Sequence, residues 1–260
     1  MAFFRSCVFN AYFVLLTIVM GIGAIPVRLT GSRERALRYA QAWTAATIAG
    51  LHHICGIELE LIGTENLPED APCLIASQHQ SAFDTLVWMN LVPRPAYVMK
   101  KELTKVPLVG PMLLLSGMIP VERLAGASAL RGLLRGTEAA IADRRQIIVF
   151  PEGTRTRPGE RVPLQPGIVA MARHAPIVVP VATNSGLFWG RNAFVKRPGR
   201  LAIVIGQPIE GASRAVLIAA LQGAWDSLSQ AHNLVPSQSR PVDNSVGTPA
   251  EDRVNSGGSL

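Results

Sequence analysis

Between Arg5 and Arg28 the chain runs for 22 residues without a charged side chain. The centre of that run, Phe13-Val-Leu-Leu-Thr-Ile-Val-Met-Gly-Ile-Gly23, is strongly apolar. As a helix rising ~1.5 Å per residue it reaches roughly 33 Å, long enough to cross a bilayer. Three readings compete: a membrane helix that spans or re-enters, a buried core helix, and a cleaved signal peptide. The last is disfavoured, because only Arg5 charges the leading segment and no clear A-x-A site follows. Arg33 to Cys55 reads as a second helix, with Arg33, Arg35 and Arg38 at its start and no charge from Ala40 to Leu51. Gly56 is its expected terminator. Such a hairpin suits a membrane surface, and two helices packed on a domain are the alternative. The basic cluster from Arg28 to Arg38 favours the membrane, because cations beside a span orient it and attract anionic headgroups.

The rest of the chain is not more of the same. The 260 residues are 48% hydrophobic and 17% charged. That is too apolar for disorder and too charged for a polytopic transporter, and the length allows one large domain with an appendage. Lys and Arg number 25 against 18 Asp and Glu, a net charge of +7. A basic, apolar chain suits an anionic partner: nucleic acid, a phosphorylated substrate or an anionic membrane. Aromatics at 6% leave few stacking platforms for nucleic acid, so no nucleic-acid partner is expected. Cys7, Cys55 and Cys73 form no CxxC. Neither a disulfide framework nor a metal site is expected, and the compartment is read as reducing.

After Gly56 the texture changes to strands alternating with helices. Strands are expected at Ile57–Ile62, Pro72–Ser77, Ala96–Met99, Met118–Val121, Gln146–Phe150, Ile177–Ala182 and Leu201–Ile205. Helices are expected at Asp84–Leu91, Pro107–Ser116, Ala127–Asp143, Gly167–His174 and Ala215–Leu228. This alternation predicts an α/β fold, a mostly parallel central sheet flanked by helices, with an N-terminal membrane-associated helical hairpin. The expected boundaries are 1–56 for the hairpin, 57–235 for the α/β domain and 236–260 for a disordered, Ser/Pro/Asn/Gly-rich tail.

Two segments at strand ends carry chemistry. Ser77-Gln-His-Gln-Ser-Ala-Phe-Asp84 follows a strand and opens a helix, so Asp84 can fold back on His79. A carboxylate on one ring nitrogen fixes the tautomer and makes the other nitrogen a better base. The plainer alternative is a His satisfying a backbone group and an Asp capping a helix. Phe150-Pro-Glu-Gly-Thr-Arg-Thr-Arg157 gathers an acid, two hydroxyls and two guanidiniums at the end of a buried strand. Arginine recognises phosphate through paired hydrogen bonds, and Glu152 is read as orienting a hydroxyl or an arginine, or as merely neutralising one. Arg123, Lys100, Lys101 and Lys105 also follow strands; each alone reads as a surface charge, but together they place cations around a general base. No P-loop, GxGxxG after a strand or GxSxG elbow is present. His52-His53 reads as interfacial or core.

His79-x4-Asp84, Gly117-x-Ile-Pro-Val-x-Arg123, Phe150-Pro-Glu-Gly-Thr-Arg155 and Ile177-Val-Val-Pro180 resemble, in order, the four motif blocks of the glycerolipid acyltransferases. The likeness covers about residues 30 to 210 and is nearest to the bacterial 1-acyl-sn-glycerol-3-phosphate acyltransferases. Gln78 departs from it, since the family usually has Asn before the His. The resemblance implies His79 as general base on the sn-2 hydroxyl of lysophosphatidic acid and Asp84 as its orienting partner. It implies Arg123, Glu152, Gly153, Thr154 and Arg155 as phosphate-binding groups, joined by Lys100 and Lys105, with Gly117, Pro120, Pro151 and Pro180 lining the motifs. The donor is acyl-CoA or acyl-carrier protein, with no further cofactor. The expected location is the bacterial inner membrane with the site facing the cytoplasm. Other acceptors (glycerol 3-phosphate, another lysophospholipid, lyso-ornithine lipid) and a non-catalytic anionic-lipid-binding protein are the rival readings.

Overall fold

The computed structural model describes residues 1–122, 126–210 and 214–235. Its helices are α1 (Ala2–Leu29), α2 (Arg33–Gly50), α3 (Asp84–Leu91), α4 (Gly110–Leu115), α5 (Gly126–Ala142), α6 (Gly167–Ala172), α7 (Ser185–Phe188) and α8 (Arg214–Ala231). Its strands are β1 (Ile57–Ile62), β2 (Cys73–Ser77), β3 (Pro95–Lys100), β4 (Ile119–Val121), β5 (Gln146–Val149), β6 (Val178–Thr183) and β7 (Gly199–Ile205). They form one sheet in the order β1-β7-β6-β2-β5-β3-β4. β6 and β7 pair antiparallel, and the other neighbours pair in parallel. The sheet is therefore mostly parallel and flanked by helices, as expected.

The central strands β2, β5 and β6 are buried at every position, which is why they read as continuous apolar runs. Successive side chains serve two cores. Ile75, Tyr97 and Ile148 pack toward α1, α2 and α3. Leu74, Ala76, Ala96 and Ile147 pack toward α5, α6 and α8. Both layers hide the sheet, so the side chains that must meet water or ligand are pushed to the loops at the strand ends.

The hairpin turns at Gly31 (φ 62°), and the Ser32 hydroxyl caps α2 by accepting the Arg35 N–H at 3.3 Å. α1 is held along its length. The Tyr12 hydroxyl donates to the Ala46 carbonyl at 2.9 Å, and Tyr39 donates to the Met20 carbonyl at 2.8 Å. Near its start, the Lys196 ammonium sits 5.3 Å from the Phe9 ring, 4.9 Å from Trp189 and 5.6 Å from Phe194. The outer face is bare: Phe4, Val14, Leu15, Ile18, Val19, Ile22 and Ile25 are exposed. Only 11% of the helix's most apolar 18-residue window is buried, so a core helix does not describe it. It is long and apolar enough to cross a membrane.

α2 passes into a wider turn at Leu51–Cys55 and stops at Gly56 (φ 72°). His52 and His53 lie exposed on that turn, which removes their core reading. The helix expected from Pro107 starts only at Gly110, because Leu108 adopts φ 64°, incompatible with a helical turn. No sequence pattern marks Arg145. It is buried and donates to the carbonyls of Gly117 (2.6 Å), Ser116 (2.8 Å) and Pro95, tying together the starts of β3, β4 and β5. Burial, with Arg33 nearby, draws its guanidinium down to about 10. The 236–260 tail lies outside the described residues.

Candidate active site

β2 ends at Ser77, and the chain folds over Gln78–Phe83 before α3 begins. That fold brings His79 Nδ1 to 3.2 Å from Asp84 Oδ2. The same oxygen accepts the N–H groups of Gln80 and Ser81, each at 2.7 Å. Asp84 is wholly buried, so its carboxylate is fixed by three donors rather than by water. The imidazole lies flat on Phe150, with ring centroids 4.2 Å apart. Gln78 and Gln80 are structural here: their side-chain oxygens accept the Thr183 N–H at 3.2 Å and the Gly186 N–H at 3.1 Å.

The loop after β5 is sewn to this fold. Glu152 is buried; one of its oxygens accepts the His79 N–H at 2.5 Å and the other the Thr156 hydroxyl at 2.9 Å. In return, Thr156 N–H donates to the His79 carbonyl at 2.8 Å. Burial pushes the Glu152 carboxyl up to about 7, against the opposing pull of the His79 and Thr156 hydrogen bonds. Gly153 follows with φ 71°, which a side chain would resist.

Beside the His79 ring opens a cavity of about 750 Å³, walled by α1, α2, α3, α4 and the ends of β3 and β5. Met20, Ala24, Trp43, Leu86, Met89 and Met112 contribute apolar wall. Among the described residues its charged lining is cationic: Lys100, Arg155 and Arg191. The Arg191 guanidinium also donates to the Arg155 carbonyl at 3.3 Å. An imidazole with one nitrogen occupied by a carboxylate and the ring facing such a space can take a proton from a bound hydroxyl. The cations can hold a phosphate, and the apolar walls a hydrocarbon chain. Among the described residues no three His, Cys, Asp or Glu side chains gather as a metal site.

The sequence profile of the family described as "Acyltransferase" matches residues 58–184. A 1-acyl-sn-glycerol-3-phosphate acyltransferase of Pseudomonas aeruginosa is 33% identical over 175 residues, covering 67% of this chain and 68% of that protein. The chain belongs to the acyltransferase family. It is an acyltransferase enzyme, similar to the 1-acyl-sn-glycerol-3-phosphate acyltransferases. The Limnanthes douglasii enzyme of that name is 31% identical over 159 residues, 60% of this chain and 56% of that protein. Among solved structures, the 1-acyl-sn-glycerophosphate acyltransferase of Thermotoga maritima superposes with a TM-score of 0.69 at 20% identity, over 88% of this chain and 98% of that one. That likeness speaks for the fold.

Not all the residues expected in the acyltransferase site reach the cavity wall. His79, Lys100, Gly153, Thr154 and Arg155 line it. Asp84 stands behind His79. Glu152 stands behind the loop with both oxygens engaged by His79 and Thr156, so no free carboxylate edge is offered to a phosphate. Lys105 is exposed and off the wall. Gly117 sits at the opposite end of β4, its carbonyl taken by Arg145, and Pro120 points outward, exposed. Pro180 lies within β6, where its carbonyl accepts the Gly206 N–H at 2.8 Å. Pro151 lines a different cavity, on the other face of the sheet. Arg123 lies outside the described residues. Sequence reasoning misses Arg191, because Trp189-Gly-Arg-Asn192 carries no motif; its one signal is its place just beyond β6 and α7.

Proposed function

We propose that this acyltransferase moves an acyl group from a thioester donor, acyl-CoA or acyl-carrier protein, to the sn-2 hydroxyl of lysophosphatidic acid, giving phosphatidic acid. One observation carries the reading: the His79 ring, backed by the Asp84 carboxylate, faces a cavity whose charges, among the described residues, are Lys100, Arg155 and Arg191 and whose walls are otherwise largely apolar. Asp84 keeps the Nδ1 proton, and Nε2 takes the proton of the acceptor hydroxyl. The alkoxide character so gained lets the oxygen attack the thioester carbonyl. The C–O bond forms, the C–S bond breaks, and the proton passes from His79 to the departing sulfur. Arg155, Lys100, Thr154 and Arg191 hold the acceptor's phosphate and fix the hydroxyl against the ring. Glu152 serves as the brace that holds the His79 backbone to the loop carrying Arg155. No cofactor beyond the thioester is required by this chemistry.

The acceptor's chain comes from the membrane along α1 and α2, which wall the cavity. The membrane is the bacterial inner membrane and the site faces the cytoplasm, in keeping with the basic turn from Arg28 to Arg38. His79→Ala tests the reading directly. With lysophosphatidic acid and a thioester donor, thiol release should fall by about 10²- to 10⁴-fold while the variant keeps its melting point. Turnover close to that of the parent would sink the assignment.

A further inference from the structure

A second cavity, of about 560 Å³, opens on the far face of the sheet between α5 and α6. It shares Val98, Met99, Val149, Phe150 and Gly153 with the first, so the two meet at the ends of β3 and β5. Phe150 is also the ring on which His79 lies. The first cavity is walled by the membrane-associated hairpin; the second has no wall from α1 or α2. The two substrates of the proposed reaction divide the same way. A lysolipid resides in the bilayer, whereas a thioester donor arrives on a water-soluble anionic carrier.

We propose that the α5–α6 cavity is the channel for the phosphopantetheine arm of the thioester donor, with Arg173 and Arg131 receiving the carrier's phosphate. This rests on the thioester chemistry proposed above. Arg173 lines the cavity and is exposed. Arg131 is exposed one helical turn after Ala127, which also lines it. Neither makes an ion pair among the described residues. Between that rim and Gly153 the wall is mainly apolar, with Gln165 the polar side chain beside Gly153. A long, thin arm with two amide groups fits such a passage. Its sulfur end comes up to Gly153 and Phe150, on the edge shared with the cavity that His79 lines. After transfer, the free thiol leaves by the same route, away from the membrane, while the new diacyl product stays on the lipid side.

Acyl-CoA and acyl-carrier protein share this arm, and the test uses both. Full-length protein in detergent micelles carries either Arg131→Glu with Arg173→Glu, or Ala129→Trp to fill the channel. Donor and lysophosphatidic acid KM values are then measured separately. Both variants should raise the donor KM about tenfold or more and leave the lysophosphatidic acid KM within about twofold. An increase confined to acyl-carrier protein in the charge variant makes that protein the source of the phosphate; an increase with both donors makes the arm itself the ligand. Unchanged donor KM in both variants overturns the proposal, as does a rise in the lysophosphatidic acid KM alone. The charge variant alters only the surface, so it decides the matter alone if Ala129→Trp fails to fold. Failure of the parent protein to release thiol would instead strike the proposed reaction, a result distinct from either.

Discussion

Asp84 joins a structural job to an electrostatic one. Its Oδ2 holds three donors at once: the His79 ring and two backbone N–H groups. Asp84→Asn preserves the shape and an acceptor oxygen but removes the negative charge that favours a protonated imidazole beside it. We expect kcat for thiol release to fall by about 10²-fold or more, with the lysophosphatidic acid KM little moved. Steady-state kinetics on both substrates check it. Glu152 is the second residue with a measurable signature. Burial holds its carboxyl at about 7, against an ordinary value of 4.5. Between those two values the folded chain keeps a proton that the unfolded chain has lost, so stability falls as pH rises through the interval. The full shift corresponds to about 3 kcal/mol. Denaturation midpoints should therefore drop from acid to neutral pH in the parent, and Glu152→Gln, which cannot ionise, should flatten that drop. A variant whose midpoint slides just as far would assign the slope to another group.

At the scale of elements, the hairpin is built on close approach. A side chain at Gly50 would place its Cβ 2.3 Å from the Tyr12 ring, whose hydroxyl reaches the Ala46 carbonyl on α2. Gly50→Val should force α1 off α2 and cost about 1–3 kcal/mol, read as a lowered melting point in detergent. The hairpin, the strands and the helices are legible in the sequence because each leaves a local period: an uncharged run, an apolar strand, a terminating glycine. The loop between His79 and Asp84 is legible for the same reason, since both partners lie within five residues across one turn. What cannot be read joins distant segments. Arg145 ties three strand starts through carbonyls 28 to 50 residues away, and Lys196 reaches back to Asn10 across 186 residues. The resemblance implies Glu152 as a phosphate-binding group, while its neighbours alone read it as orienting a hydroxyl or an arginine, or neutralising one; in the fold it accepts the Thr156 hydroxyl. Its burial under the His79 loop depends on a contact 73 residues away that no local pattern encodes.

For the molecule as a whole, two faces of one sheet meet two environments. The face covered by α1 and α2 carries the bare apolar stripe, and α5, α6 and α8 pack on the opposite face. Leu15 and Val19 stand one helical turn apart on the stripe, at 63% and 58% exposure, and neither lines the cavity. Burying such side chains in a bilayer is worth about 1.5–3 kcal/mol each. Leu15→Lys with Val19→Lys should therefore lower binding to lipid vesicles by about 10²-fold or more in a flotation assay. The inner face of α1, with Phe9, Tyr12 and Ala24, is untouched by the change, so the fold and the cavity remain. Acyl transfer to lysophosphatidic acid presented in detergent micelles should then persist while transfer to the same lipid embedded in vesicles is lost. That pairing separates the two jobs of α1. As a wall of the cavity it works wherever the substrate is dissolved; as an anchor it works only where there is a membrane to enter. Loss of both activities together would mean that the stripe holds the domain itself in shape, and vesicle binding at the parent level would mean that the anchor lies elsewhere on the chain.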